Sequence, residues 1–236
     1  MIGIFLELLI TWLLLKFAVK ENFSTLGLSL TRERLKYVLI GFILPIIYFC
    51  ALHFSVAYVT GNPYKFNHNY TWNAFLQSGL YVLRGVIYEE LLFRGFLLYI
   101  LIKYTGRIKA SLISAIAFGI YHWFSWNLFG QPTAMLVTFL NTGLIGFLYA
   151  LLFAKTQSMY LPAALHMGSN FATMIIFSKY DSIGIQLLTK TFIKDPIVPP
   201  PLVSMPMLII YLTGFHIMCY IIFKLHKPQT ISQQTA

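Results

Sequence analysis

Charge is what this sequence has least of. Asp, Glu, Lys and Arg make up only 10% of its 236 residues while 58% are hydrophobic, and that balance excludes an ordinary soluble domain, in which about 25% of residues are charged. Acidic residues are the scarcer kind, 7 against 17 basic, for a formal net charge of +10. On a soluble chain such an excess would point to nucleic acid. Here Lys and Arg fall in short clusters between apolar runs rather than along one face, so no nucleic-acid partner is expected and the charges are read as topology signals. Cysteine is limited to Cys50 and Cys219, both inside apolar runs, which gives no disulfide framework. An internal repeat is lacking too, and with it the usual sequence pointer to an inverted-repeat transporter.

What is present is apolar length. A spanning helix needs about 20 mostly apolar residues, and about seven stretches qualify: residues 2–19, 36–59, 80–102, 108–126, 133–154, 158–178 and 202–223. The first carries Glu7, has no basic leader and is not followed by a small-residue cleavage site, so it reads as a retained helix rather than a removable signal. The expected fold is all-α, a polytopic membrane helical bundle forming one domain over residues 1–223, with a short polar tail over 224–236. GNPYKFNHNYTW, between the second and third stretches, reads as a turn-rich interfacial segment. TFIKDPIVPPPLVSMP, residues 191–206, reads as an extended connector. Basic residues collect after the first, third, fifth and seventh stretches, which by the positive-inside rule puts the N-terminus outside and the C-terminus in the cytoplasm of a cell-membrane protein.

The third stretch, LYVLRGVIYEELLFRGFLLYILI, holds Arg84, Glu89, Glu90 and Arg94. Left in lipid, these four charges would cost about 10 to 14 kcal/mol, against some 4 to 8 kcal/mol returned by the aliphatic and Phe residues. The helix must therefore turn its charges toward protein or a wet cavity, and a functional site is the default hypothesis. Glu90 and Arg94 are four apart and share a face as an ion pair, whereas Glu89 points about 100° away. That assigns Glu90 to structure and leaves Glu89 as the candidate general base or acid.

Two further stretches pair a histidine with a residue one turn away: Phe118 with His122 in FGIYH, and His166 with Asn170 in HMGSN. Counted at about 1.5 Å per residue from Lys103, Lys109 and Lys155, Glu89, His122 and His166 fall at depths of about 21, 20 and 16 Å, in one layer. A glutamate, two histidines and an asparagine are a set that can activate water and hold a developing oxyanion. His53 and His216 have no such companion and are assigned to packing or interhelical hydrogen bonds; His68 and His226 are expected to be solvated. Gly119, Gly143, Gly146 and Gly168 are expected to let helices approach closely.

EELLFR, FGIYH and HMGSN together resemble, in order and approximate spacing, the EExxxR, FxxxH and HxxxN motifs of the CPBP family of intramembrane glutamic endopeptidases. That family includes the CAAX prenyl proteases and proteins of bacteriocin processing or immunity; the likeness covers roughly residues 84–178. The resemblance implies a multi-pass helical protease in which Glu89 and His122 activate the attacking water and His166 and Asn170 stabilise the oxyanion. Glu90, Arg94 and Phe118 then give structural support. It also implies a membrane-associated or lipidated protein or peptide as substrate, and a mechanism without a cofactor. A zinc site of Glu89, His122 and His166 is the alternative, although no HExxH motif is present. Two other readings compete: a proton-coupled transporter using the same Glu and His residues, and a non-catalytic immunity protein on the same fold. The sequence does not choose among substrates or fix the oligomeric state.

Overall fold

The structure is a computed structural model that describes residues 2–177, 186–191 and 197–226. Helix α1 (Ile2–Leu13) continues as a π-helical turn over Leu14–Val19, and a short 3₁₀ turn, Phe23–Leu26, precedes α2 (Arg32–Thr60). Strand β1 (Tyr64–Phe66) leads to α3 (Trp72–Arg94), α4 (Phe96–Thr105), α5 (Arg107–Ser125) and α6 (Pro132–Thr156). Helix α7 (Tyr160–Asn170) passes into a second π-helical segment, Phe171–Ile176; β2 (Leu188–Lys190) and α8 (Pro201–Leu225) follow. Among the described residues the protein is all-α apart from one two-stranded ribbon.

Among the described residues four helical runs are long and apolar enough to cross a membrane: Ile2–Val19, Arg32–Thr60, Pro132–Thr156 and Pro201–Leu225. They correspond to the first, second, fifth and seventh expected stretches. The third differs most. It begins eight residues earlier than hydropathy suggests, because Thr71 caps it, with Oγ1 accepting from the Ala74 N–H at 3.1 Å, and a cap starts a helix whatever the polarity of its first turn. It then breaks at Gly95, where a Cβ would stand 2.2 Å from the Leu91 carbonyl oxygen; only glycine fits. The depth count for Glu89 runs across this break, and that for His166 runs through the turn after α6, where Gln157 has φ 48°. Only the count from Lys109 to His122 lies on one unbroken helix, so the common layer does not follow from sequence separation.

Two more expectations need correcting. The turn-rich segment contains β1, which pairs antiparallel with β2 (Tyr64↔Lys190, Lys65↔Thr189, Phe66↔Leu188). The proline-rich connector is non-helical over 197–200, but α8 starts at Pro201 and keeps Pro206 inside it. Pro201, in the first turn, forfeits no hydrogen bond; Pro206 lies beyond that turn, inside the helix. Residues 192–196 of that connector lie outside the described residues, as does the tail beyond 226; α8 itself runs to Leu225, past the expected start of the tail.

The chain packs as two compact units: Met1–Val38 with Ile87–Ala163 and His216–Ala236, and Leu39–Val86 with Ala164–Phe215. The first is built on a close pairing of α5 with α6. A Cβ on Gly119 would meet the Phe139 ring at 2.7 Å, and one on Gly146 would meet Phe118 Cδ1 at 2.8 Å, so both glycines let side chains of the neighbouring helix reach the backbone. Leu91, Leu98, Ala110, Ala150 and Phe153 fill its core together with Leu15 and Leu26 from the N-terminal region. The turn after α6 is clamped to the N-terminal region: Ser158 Oγ donates to the Gly27 carbonyl at 3.2 Å and Tyr160 Oη to the Leu28 carbonyl at 3.0 Å.

In the second unit Val82, Val86 and Ile175 form the core. A Cβ on Gly168 would lie 2.3 Å from the Phe42 carbonyl oxygen, the closest of the four anticipated glycine contacts. His53 stacks on Phe177 with ring centres 4.3 Å apart and meets Tyr64 Oη at 3.0 Å, which ties α2 to the ribbon. Both cysteines are free thiols.

Candidate active site

Helix α3 presents its acidic pair as the four-residue spacing requires. Arg94 Nη1 donates to Glu90 Oε1 at 3.1 Å, with side chains 0% and 1% exposed. Arg94 Nη2 also reaches the Gly146 carbonyl on α6 at 3.5 Å. Its guanidinium carbon lies 4.3 Å from the centre of the Phe118 ring and 5.3 Å from that of Tyr149. A fully desolvated arginine needs such company: one carboxylate, one carbonyl and two ring faces replace its water. Arg84, which was expected to turn inward with the others, is instead exposed. It sits ten residues before Arg94, nearly three turns along α3.

Glu89 is half-buried and occupies a different face of α3 from its neighbour; successive helical residues are separated by about 100°. Glu90 is paired with Arg94, and Glu89 is the other carboxylate of this helix.

Helix α5 supplies Phe118 and His122. Phe118 is buried between Arg94 and the edge of Phe93, whose ring centre is 5.0 Å away. His122 is 6% exposed, and its Nδ1 lies 2.8 Å from the Phe118 carbonyl oxygen. A carbonyl can only accept, so Nδ1 carries a proton and donates it to the backbone. The one-turn spacing of FGIYH thus turns Nδ1 toward the backbone.

Helix α7, in the second unit, carries the other motif. His166 is 8% exposed, and its backbone carbonyl accepts from Ser169 Oγ at 2.9 Å. Asn170 is half-buried at the last residue of α7, where the backbone passes from α to π geometry. Such π segments recur at functional sites. Nothing in the sequence marked this one.

The remaining histidines fall largely as expected. His216 Nε2 meets the Asn141 carbonyl at 3.3 Å, and His68 is exposed. His226 is not simply solvated: Nδ1 donates to the Ile222 carbonyl at 2.9 Å and the ring packs edge-on against Tyr37 at 5.1 Å. Among the described residues no three His, Cys, Asp or Glu side chains are grouped so as to hold a metal ion.

The sequence of residues 71–172 matches a family model described as type II CAAX prenyl endopeptidase Rce1-like. The matched stretch contains all seven motif residues, from Glu89 to Asn170, and leaves out the first two and the last helices. No curated protein and no solved structure gives a match. The matched family is one of proteases, and four described helical runs are long and apolar enough to cross a membrane.

Proposed function

We propose that the chain is a CPBP/CAAX-type intramembrane endopeptidase acting on a membrane-associated or lipidated protein or peptide, by a glutamate and histidine mechanism; the match of residues 71–172 to the family model supports this. Glu89 and His122 Nε2 orient a water and take its proton as it attacks the scissile carbonyl carbon. His166 and Asn170 donate to the oxygen that becomes negative, and the proton passes to the leaving amine as the C–N bond breaks. The reading rests above all on the family match, which spans every residue given a role. It is supported by the pairing of Glu90 with Arg94 and by the hold of the Phe118 carbonyl on His122 Nδ1. With the basic clusters on one side, the N-terminus faces outward and the C-terminus the cytoplasm of the cell membrane.

The test is a comparison of membrane proteomes from cells carrying the wild-type chain and the Glu89→Gln variant, with the purified variant checked for folding. New N-termini seen only with the wild type identify the substrate and support the assignment. Cleavage by folded Glu89→Gln at the wild-type rate excludes this mechanism. Cleavage is also expected to survive chelation; stoichiometric zinc whose removal abolishes activity would overturn that part. Proton-driven uptake into vesicles that is lost in the Glu89 variant would instead favour transport.

A further inference from the structure

Helix α6 is one of the four runs able to cross a membrane, and a polar side chain sits in the middle of its outward face. Leu136, Val137, Leu140 and Leu144 are exposed, and Asn141 is exposed among them. From Pro132 to Asn141 the helix rises about 14 Å, close to half of a hydrocarbon layer about 30 Å thick. Phe139 and Gly146, on either side of Asn141 in the chain, pack against Gly119 and Phe118 of α5, so the asparagine lies at the middle of the helix pair and not at a frayed end. An amide in hydrocarbon needs a hydrogen-bond partner. Thr142, its neighbour, finds one within α6, where Oγ1 donates to the Thr138 carbonyl at 2.8 Å. The Asn141 backbone is also provided for, its carbonyl accepting from His216 Nε2 at 3.3 Å. The Asn141 carboxamide makes no hydrogen bond to any of the described residues.

The residues around it identify what would meet it. Ala134, Val137, Asn141 and Leu144 follow one another at intervals of three, four and three, the a–d–a–d order of a heptad seam with the asparagine at an a position. A single asparagine placed there fixes the register of paired helices. A carboxamide is donor and acceptor at once, so two copies related by a two-fold axis satisfy each other. Acyl chains offer neither group, and a foreign helix would need an amide of its own at the matching height; a second copy has it by symmetry. We propose that α6 is the contact between two copies of this chain within the membrane. The two helices run parallel about an axis along the bilayer normal, and Nδ2 of each Asn141 donates to Oδ1 of the other. Val137 and Leu144 pack on either side of the amide pair, which removes both carboxamides from lipid.

The test is a count of subunits. The full-length chain is reconstituted into large lipid vesicles at falling protein-to-lipid ratios, and pairs are counted by single-molecule photobleaching. Dimers are expected. Asn141→Leu should weaken their association by about 5- to 30-fold, the worth of interhelical hydrogen bonds in a membrane, and Asn141→Gln, which keeps donor and acceptor, by less. Position gives a second readout that needs no change at Asn141. With Cys50 and Cys219 replaced by Ser, Val137→Cys should form a disulfide between copies. Ile116→Cys, exposed on α5 at the depth where Ala115 meets Gly143, should not. Monomers at every ratio overturn the proposal, as do dimers that Asn141→Leu leaves unweakened, or equal cross-linking at positions 137 and 116, which would mean random collision. A monomeric wild type whose Asn141→Leu variant cleaves substrate more slowly would also overturn it, and would give the seam to a substrate's transmembrane helix. The count and the cross-links do not depend on cleavage, so they stand apart from the result for Glu89→Gln.

Discussion

Arg94 and Phe118 are in face contact, the guanidinium carbon 4.3 Å from the ring centre, and the carbonyl of that same Phe118 holds His122 by Nδ1. Glu90, Arg94, Phe118 and His122 thus form one physical chain running from α3 to α5. Two motifs that are separate in sequence are parts of a single support, whose far end is the proposed base.

Breaking the first link should be costly. Glu90→Ala leaves a buried guanidinium without its carboxylate, and removal of one partner of a buried pair destabilises by about 3 to 5 kcal/mol. The variant is expected to show lower yield and a lower melting temperature in detergent. Replacing Glu90 and Arg94 together with apolar residues should cost less than either single change. A Glu90→Ala protein that melts like the wild type yet is inactive would contradict the division of labour between the two glutamates.

Gly146→Ala tests the middle of the chain. The added methyl would lie 2.8 Å from Phe118 Cδ1, and Phe118 cannot withdraw without disturbing Arg94 or Phe93. Overpacking of this kind costs about 1 to 3 kcal/mol. Because Phe118 carries the acceptor for His122, cleavage should fall by more than the folded fraction does. Thermal melts and activity per folded molecule separate the two effects.

Asn170→Ala addresses the oxyanion assignment. Loss of one preorganised donor typically lowers kcat by about 10²- to 10³-fold; KM should change little, and the fold should be unaffected because Asn170 is only half-buried. Steady-state kinetics on a substrate from the proteome comparison would read this directly. An unchanged kcat removes Asn170 from the mechanism.

Gly27→Ala probes the clamp far from any chemistry. Gly27 has φ 66°, and a Cβ there would stand 2.1 Å from the Gln157 carbonyl oxygen. The left-handed conformation alone costs a non-glycine residue about 1 to 2 kcal/mol, so a clear drop in thermal stability is expected, with the activity of the remaining folded protein intact.

The legible parts of this molecule were those written in local spacing. Glu90 and Arg94 announce their pairing by a four-residue interval, Phe118 and His122 likewise, and an uninterrupted apolar run such as 133–154 predicts α6 to within two residues. Hydropathy failed where another force set the outcome. It missed the first turns of α3, which Thr71 starts by capping, and it ran straight through Gly95, where a backbone contact decides. The ribbon was invisible because Tyr64 and Lys190 are brought together by the fold and not by any signal near either. The π segment after Asn170 has no sequence mark for a similar reason: it depends on register, and a single sequence does not display register.

The interruption at Gly95 separates two lengths of helix that would otherwise turn as one screw. Gly95 is bonded on both sides, its N–H donating to the Leu91 carbonyl at 3.1 Å and its carbonyl accepting from the Tyr99 N–H at 3.2 Å. The headings of Glu89 and Glu90 are therefore set by α3, and that of Lys103 by α4.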